Sequence, residues 1–343
     1  MHEINTIEAA EFINHVAFRN KLPIMLWGQP GVGKSQVVAQ VTDENTGALV
    51  DIRLSQYDSV DLRGLPDRDN GVTVWNMPST IPFAGNPRFA HISQDTPIVL
   101  FLDELNSAAL SVQAVAYQLI NDRAVGEHKL MDNVIVIAAG NRESDRGVTN
   151  KMPLPLANRL THVEVGPDIK SLSRYFTKIG IPDVCVGFLN FRKNLISTFD
   201  PSKPDKAFAT PRTWERAFRL FADTLMPASI KRSAIAGTVG EGNSLEFFGF
   251  IEVYDQVKGF TKKVLADPEG ADLPKEGSHA YACAICISGE MDKNTVKPFS
   301  IYLNRLSPEL CVMAWQMALT RDKALFATDE YLAYAKKFAA LLK

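Results

Sequence analysis

The chain is short of the features that mark export or membrane residence. Its four cysteines in 343 residues, Cys185, Cys283, Cys286 and Cys311, are scattered apart from one C-x-x-C pair. The opening "MHEINTIEAAEFINH" lacks the basic start and apolar run of a secretory signal. Reduced thiols in a cytoplasm are therefore expected. No uninterrupted apolar run approaches the ~18 residues of a membrane span, so no membrane partner is expected. Charge of one sign is also missing. The 37 Lys and Arg against 39 Asp and Glu leave a net charge of −2, which exerts no broad pull on nucleic acid or anionic lipid. There is no internal repeat and no long low-complexity segment. What is present suffices for buried cores, with 46% hydrophobic and 22% charged residues. The length allows roughly two domains at about 150 residues each.

Residues 5–20 show apolar positions at helical spacing (Ile7, Ala10, Phe12, Ile13, Val16) and predict a helix. "LPIMLW" follows as a short buried strand and "SQVVAQVTDENTG" as a helix. "ALVDIRLS", "TPIVLFLDE", "NVIVIAAGN" and "THVEV" read as further strands. The two that are apolar throughout suit a parallel sheet covered on both faces. Strands separated by helix-compatible segments argue for an α/β domain. Two insertions interrupt the alternation. Residues 58–83 hold the turn signal Asn70-Gly71, and residues 121–133 offer a second short hairpin near Gly126 and Glu127. Beyond about residue 167 helical periodicity dominates. Pro-rich "FDPSKPDKAFATPRT" leads into the helix "WERAFRLFADTL", and "ADPEGADLPKEGS" divides the last third.

The strongest chemical signal is "MLWGQPGVGKSQVV". Gly28, Gln29, Pro30, Gly31, Val32, Gly33, Lys34, Ser35 and Gln36 have the composition and spacing of a loop whose backbone N–H groups converge on phosphate oxygens, ahead of a helix's positive end. Lys34 would reach the β- and γ-phosphates and the Ser35 hydroxyl would bind Mg²⁺. In "IVLFLDE", Asp103 would hold the magnesium through its water shell. Glu104 would polarise an attacking water, which favours hydrolysis over transfer. Asn141, closing "VIVIAAGN", would lie in the crevice at the carboxyl end of the sheet, in reach of the γ-phosphate or the water. Cys283 and Cys286, with His279 four residues earlier, lack a second ligand pair for zinc and read as buried helical cysteines.

This arrangement resembles the AAA+ ATPases over residues 1 to about 225, through the glycine loop, "VLFLDE", the strand ending in Asn141, "PLANRL" and "ATPRTW". The resemblance implies a P-loop NTPase core with a central parallel sheet over 1–167, an α-helical lid over 168–225 and a mainly helical extension over 226–343. It implies Asn141 as sensor 1, Arg159 as an arginine finger reaching a neighbouring subunit, and Arg212 as sensor 2. Arg123, Arg142 and Arg146 compete with Arg159 for the finger role. The inserts at 58–83 and 121–133 resemble the helix-2 insert and the pre-sensor-1 hairpin of the MoxR-type and dynein-related clade. In that clade such inserts project toward a central channel and meet the client, here through Arg63, Asp67, Arg68, Asp69 and an exposed Trp75. Arg142 stands where many MoxR relatives have proline, and Ser35 replaces the commoner threonine while keeping the hydroxyl.

The expectation is an ATP- and Mg²⁺-dependent motor, a homo-oligomer in the form of a hexameric ring. It would act on a protein client, often one with a von Willebrand A-like domain. The alternative is a motor subunit of a DNA-processing complex, which the mixed-sign hairpin tip disfavours. A small-molecule kinase has no use for Arg159 and two projecting hairpins. A GTP switch would need an N-K-x-D, which is absent. A scaffold that binds ATP without turnover predicts a broken Glu104, which is intact.

Overall fold

The computed structural model describes residues 2–145, 150–203 and 205–339. They form two compact units, Met1–Pro167 with Asp200–Pro204, and Asp168–Phe199 with Asp205–Lys343.

The first unit is built on a six-stranded sheet, β1 (Glu3–Ile4), β10 (Thr161–Val165), β2 (Ile24–Trp27), β9 (Val134–Gly140), β6 (Ile98–Asp103) and β3 (Ala48–Arg53), in that spatial order. Every pairing is parallel. The period-2 alternation of each strand feeds two cores. Ile24 and Leu26 join Val99 and Phe101 on one face, with Val37, Val38 and Val41 of helix α2 (Lys34–Glu44). Met25 and Trp27 join Leu100 and Leu102 on the other, with Val112, Val115 and Leu119 of α4 (Leu110–Asn121). β2 lies between β9 and β10, while the chain leaving it runs to the far edge at β3. The loop after β2 therefore opens at a reversal of strand order, where open α/β sheets bind ligands.

Several elements depart from the sequence reading. The helix expected over 5–20 is α1 (Thr6–Phe12), followed by a π-helix over Ile13–Arg19. Asn5 caps α1, accepting from the Ile7 and Glu8 N–H groups while Glu8 accepts from the Asn5 N–H. A sixth strand, β1, was not legible. The 58–83 insert holds a short helix, α3 (Ser59–Arg63), and a hairpin of β4 (Pro66–Asp69) and β5 (Val72–Trp75) turning at Asn70-Gly71. The second hairpin pairs β7 (Ala124–Val125) with β8 (His128–Lys129). Trp75, expected to be exposed, is half-buried. Its ring lies 5.8 Å from the Arg63 guanidinium, and its carbonyl meets His128 Nε2 at 3.0 Å. The two hairpins are thus joined.

In the first unit, a short helix α5 (Leu154–Ala157) precedes β10. The second unit is helical: α6 (Ile169–Lys178), α7 (Asp183–Phe191), α8 (Pro211–Ala222), α9 (Ala228–Val239), α10 (Glu241–Val257), α11 (Phe260–Ala266), α12 (Gly277–Glu290), α13 (Val296–Leu303), α14 (Pro308–Arg321) and α15 (Asp329–Lys337). Residues 168–225 and 226–343, expected as lid and extension, contribute to one core. Trp214 and Phe218 of α8 pack on Phe188 of α7 and Phe247 of α10. Cys185, Cys283, Cys286 and Cys311 are buried in this unit as free thiols. Among the described residues no helix is long and apolar enough to cross a membrane.

Candidate active site

The carboxyl ends of β2, β9 and β6 are neighbours, so the three segments singled out in the sequence meet. Gly28 leaves β2 against the backbone of β10, where a Cβ would collide with the Val165 carbonyl oxygen. Gly31 and Gly33 turn the loop through left-handed backbone at φ 79° and 106°. Val32 anchors the loop in the core, Gln29 is buried, Pro30 and Gly31 are half-buried, and Gln36 faces outward on α2.

Lys34, the first residue of α2, is buried although cationic. Its Nζ donates to the carbonyl oxygens of Gly28 (2.6 Å) and Gln29 (3.2 Å) and to Asn141 Oδ1 (3.4 Å). One ammonium thus gathers the loop and the end of β9. Ser35 Oγ donates to Asp103 Oδ2 at 3.2 Å, which sets two hard oxygens side by side. Partial burial and then the Asp103 charge push the Asp51 carboxyl above its ordinary value, with Arg53 opposing. The donor set suits Mg²⁺, which Ser35 and Asp103 could hold with its waters.

Glu104 adopts left-handed backbone (φ 57°, ψ 34°), a conformation that costs a non-glycine residue about 1–3 kcal/mol. The turn carries its carboxylate toward the adjacent strand β3. There the Ser55 hydroxyl donates to Oε2, and Arg53 Nε stands 3.6 Å from Oε1. The Glu104 N–H donates to Asp103 Oδ1 at 2.9 Å.

Three polar residues were missed as site residues in the sequence. Arg53 ends β3 and Ser55 follows in the 3-10 turn Leu54–Gln56, within "ALVDIRLS", whose pattern signals a strand and nothing more. Asn106, fully buried, donates from Nδ2 to the Asn141 carbonyl (2.8 Å) and accepts the Asn141 N–H at Oδ1 (3.2 Å). A side chain beyond β6 thereby continues the ladder to β9 and fixes the backbone of Asn141. Gly140 must be glycine, since a Cβ would strike Asn106 Oδ1.

The match to known families falls on this region. Residues 24–164 match the family described as "ATPase family associated with various cellular activities (AAA)". That similarity lies within the first unit, over its parallel sheet. No curated protein matches the chain. Among solved structures, the chain is similar to NtrX from Brucella abortus, at 18% identity over 82% of this chain and 67% of that one, TM-score 0.38. It is also similar to a RuvB mutant from Thermotoga maritima, at 15% identity over 88% of this chain and 90% of that one, TM-score 0.38.

The candidate arginines differ in their freedom. Arg142 donates from Nη1 to Glu164 Oε1 (2.7 Å) and from Nε to Asp145 Oδ1 (3.2 Å). Burial alone would lower its pKa, but these carboxylates outweigh it and hold the guanidinium above its ordinary value. Arg123 donates from Nη2 to the Met131 carbonyl at 2.9 Å. Arg146 lies outside the described residues. Arg159 is exposed, and among the described residues its guanidinium has no hydrogen bond or ion pair. Arg212, the second residue of α8 in the second unit, is exposed and likewise without a described partner.

Proposed function

We propose that this chain hydrolyses ATP with Mg²⁺ as one protomer of a homo-oligomeric, MoxR-type ring. By its resemblance that ring is a hexamer, and it remodels or activates a partner protein, first a protein with a von Willebrand A-like domain. The observation that carries the ATPase reading is the convergence of Lys34, Asn141, Ser35 and Asp103 at three adjacent strand ends. On ATP binding, Lys34 exchanges its loop carbonyls for β- and γ-phosphate oxygens. Ser35 and Asp103 would hold the magnesium, which when bound would neutralise phosphate charge. Glu104 must leave Ser55 and Arg53 to take a proton from the attacking water, while Asn141 orients that water or the γ-phosphate. Arg159 is the finger because, unlike Arg123 and Arg142, it is not engaged within its own protomer. A guanidinium inserted at the γ-phosphoryl group is worth ~10³–10⁵ in rate. Arg212 would act as sensor 2, as the resemblance implies.

Glu104→Gln is expected to bind ATP yet lose turnover by about 10²–10⁴; unchanged hydrolysis removes Glu104 from this role. Arg159→Ala and Lys34→Ala chains, each inactive alone, are expected to regain partial activity when mixed. Stimulation by duplex DNA that falls steeply with salt would move the reading to a DNA motor.

A further inference from the structure

A relay of three groups joins the strand that carries the phosphate loop to the turn that carries Arg159. Trp27, the last residue of β2 and the one before Gly28, donates from Nε1 to His162 Nδ1 at 2.8 Å. The two rings lie within 14° of parallel, with centroids 5.9 Å apart. On its other side, His162 Nε2 stands 2.7 Å from the carbonyl oxygen of Ala157. An indole N–H only donates and a carbonyl only accepts. The imidazole between them is therefore neutral, bare at Nδ1 and protonated at Nε2, and it donates to Ala157.

Ala157 is a telling place to hold. Its carbonyl also accepts the Leu160 N–H at 3.2 Å, closing a turn whose two middle residues are Asn158 and Arg159. The next N–H, of Thr161, donates to the Pro23 carbonyl at 2.9 Å, just ahead of β2. The turn that exposes Arg159 is thus pinned at its first residue by His162 and beyond its last by the β2 entry. Nothing else in the described residues grips the Arg159 side chain itself.

We propose that His162 is a positioning residue: through Ala157 it sets the turn that presents Arg159 to the neighbouring protomer, and through Trp27 it ties that presentation to the protomer's own phosphate loop. The inference rests on the trans role proposed for Arg159. Its consequence is directional. When the loop after Trp27 closes on a phosphate, a rigid ring passes any shift of the indole to the turn, so each protomer's pocket adjusts the arginine it offers next door.

The test uses mixed rings of the full chain. Lys34→Ala chains supply Arg159 but no working pocket; Arg159→Ala chains supply the pocket. His162→Phe is added first to the Lys34→Ala chain, then instead to the Arg159→Ala chain. With the substitution on the arginine-supplying chain, the restored activity is expected to fall by about tenfold to a hundredfold, as for a misplaced catalytic group. On the pocket-supplying chain it is expected to stay near the control. His162→Gln, whose amide can still donate to Ala157, should keep most of the restored activity on the arginine-supplying chain, whereas His162→Asn, too short to reach it, should behave as Phe. Equal loss in both arrangements, loss only on the pocket side, no loss, or Asn outperforming Gln each overturn the proposal. A control mixture without His162 changes that shows no restored activity overturns the trans reading of Arg159, and this inference with it.

Discussion

Asn106 has no room to move: its amide satisfies both the N–H and the carbonyl of Asn141, and its own carbonyl accepts from the Asn150 N–H at 2.6 Å. Removing such a buried partner leaves backbone groups unpaired at about 1–3 kcal/mol. The consequence at the site is the loss of aim of Asn141 toward Lys34. Asn106→Ala is expected to lower kcat by about tenfold to a hundredfold with the KM for ATP less affected, because the loop carbonyls and Ser35 remain in place. Asn106→Asp keeps the acceptor but sets a carboxylate against the Asn141 carbonyl, and should be no better. An unchanged kcat in both variants removes Asn106 from the site. Part of this geometry was legible in the sequence: Lys34, Ser35, Asp103 and Asn141 were singled out by strand and loop context, and the sheet brings them together. Asn106 was not, because in "DELNS" it reads as a helix-capping residue. Arg53 and Ser55 escaped for a different reason. The Arg53↔Asp103 register exists only once β3 is known to pair with β6, and a strand's polar end carries no mark of its neighbour.

At the scale of elements, the helices of the second unit approach closely where one side chain is missing. Gly187 of α7 faces Ile285 of α12, and a Cβ there would collide with the isoleucine side chain. Gly187→Ala is expected to destabilise by about 1–3 kcal/mol through overpacking. Ile285→Ala alone costs about 2–5 kcal/mol, and the double variant should lose less than the sum, because alanine lacks the Cδ1 and Cγ1 atoms that the new Cβ would strike. Strict additivity in thermal or denaturant unfolding would show that the contact is not the cause. Nothing in "DVCVGFLNF" forecasts this, since which helix a glycine meets is a tertiary fact. The parallel strands were legible because apolar runs between glycine-bearing loops have few other uses. β1 was not: two residues hold no periodicity, and its pairing to β10 spans most of the unit. The π-helix at Ile13–Arg19 escaped because seven residues cannot separate a wider helical turn from an α one.

For the whole molecule, the two units differ in what their cores titrate. Every cysteine lies in the second unit, and burial raises each thiol: Cys185 well above its ordinary value, Cys283 from 9.0 to about 12, Cys311 to about 11, and Cys286 upward as well. Tyr254, Tyr302 and Tyr334 of the same unit are also pushed up, by burial first. An acid whose folded pKa is raised keeps its proton in the folded state while the unfolded chain has lost it. Between the ordinary and the raised value the unfolded state therefore binds fewer protons, and stability falls as pH rises. For Cys283 that window opens near 9.0 and closes near 12. At pH 8 the native thiols should react slowly with a colorimetric disulfide reagent, and all four should react at once in denaturant, because only opening of the core frees a thiolate. Raising the pH from about 8 to about 10.5 should then lower the temperature at which the thiols become reactive. Cys283→Ala should flatten that slope while lowering the starting value, since it removes one linked proton and leaves a small void. Native thiols that react at the rate of a free peptide thiol, or a slope that Cys283→Ala leaves unchanged, would show that these groups are not sealed in the helical core. Because the first unit holds no cysteine, thiol reactivity reports the helical unit alone, and nucleotide binding, read beside it, reports the first unit.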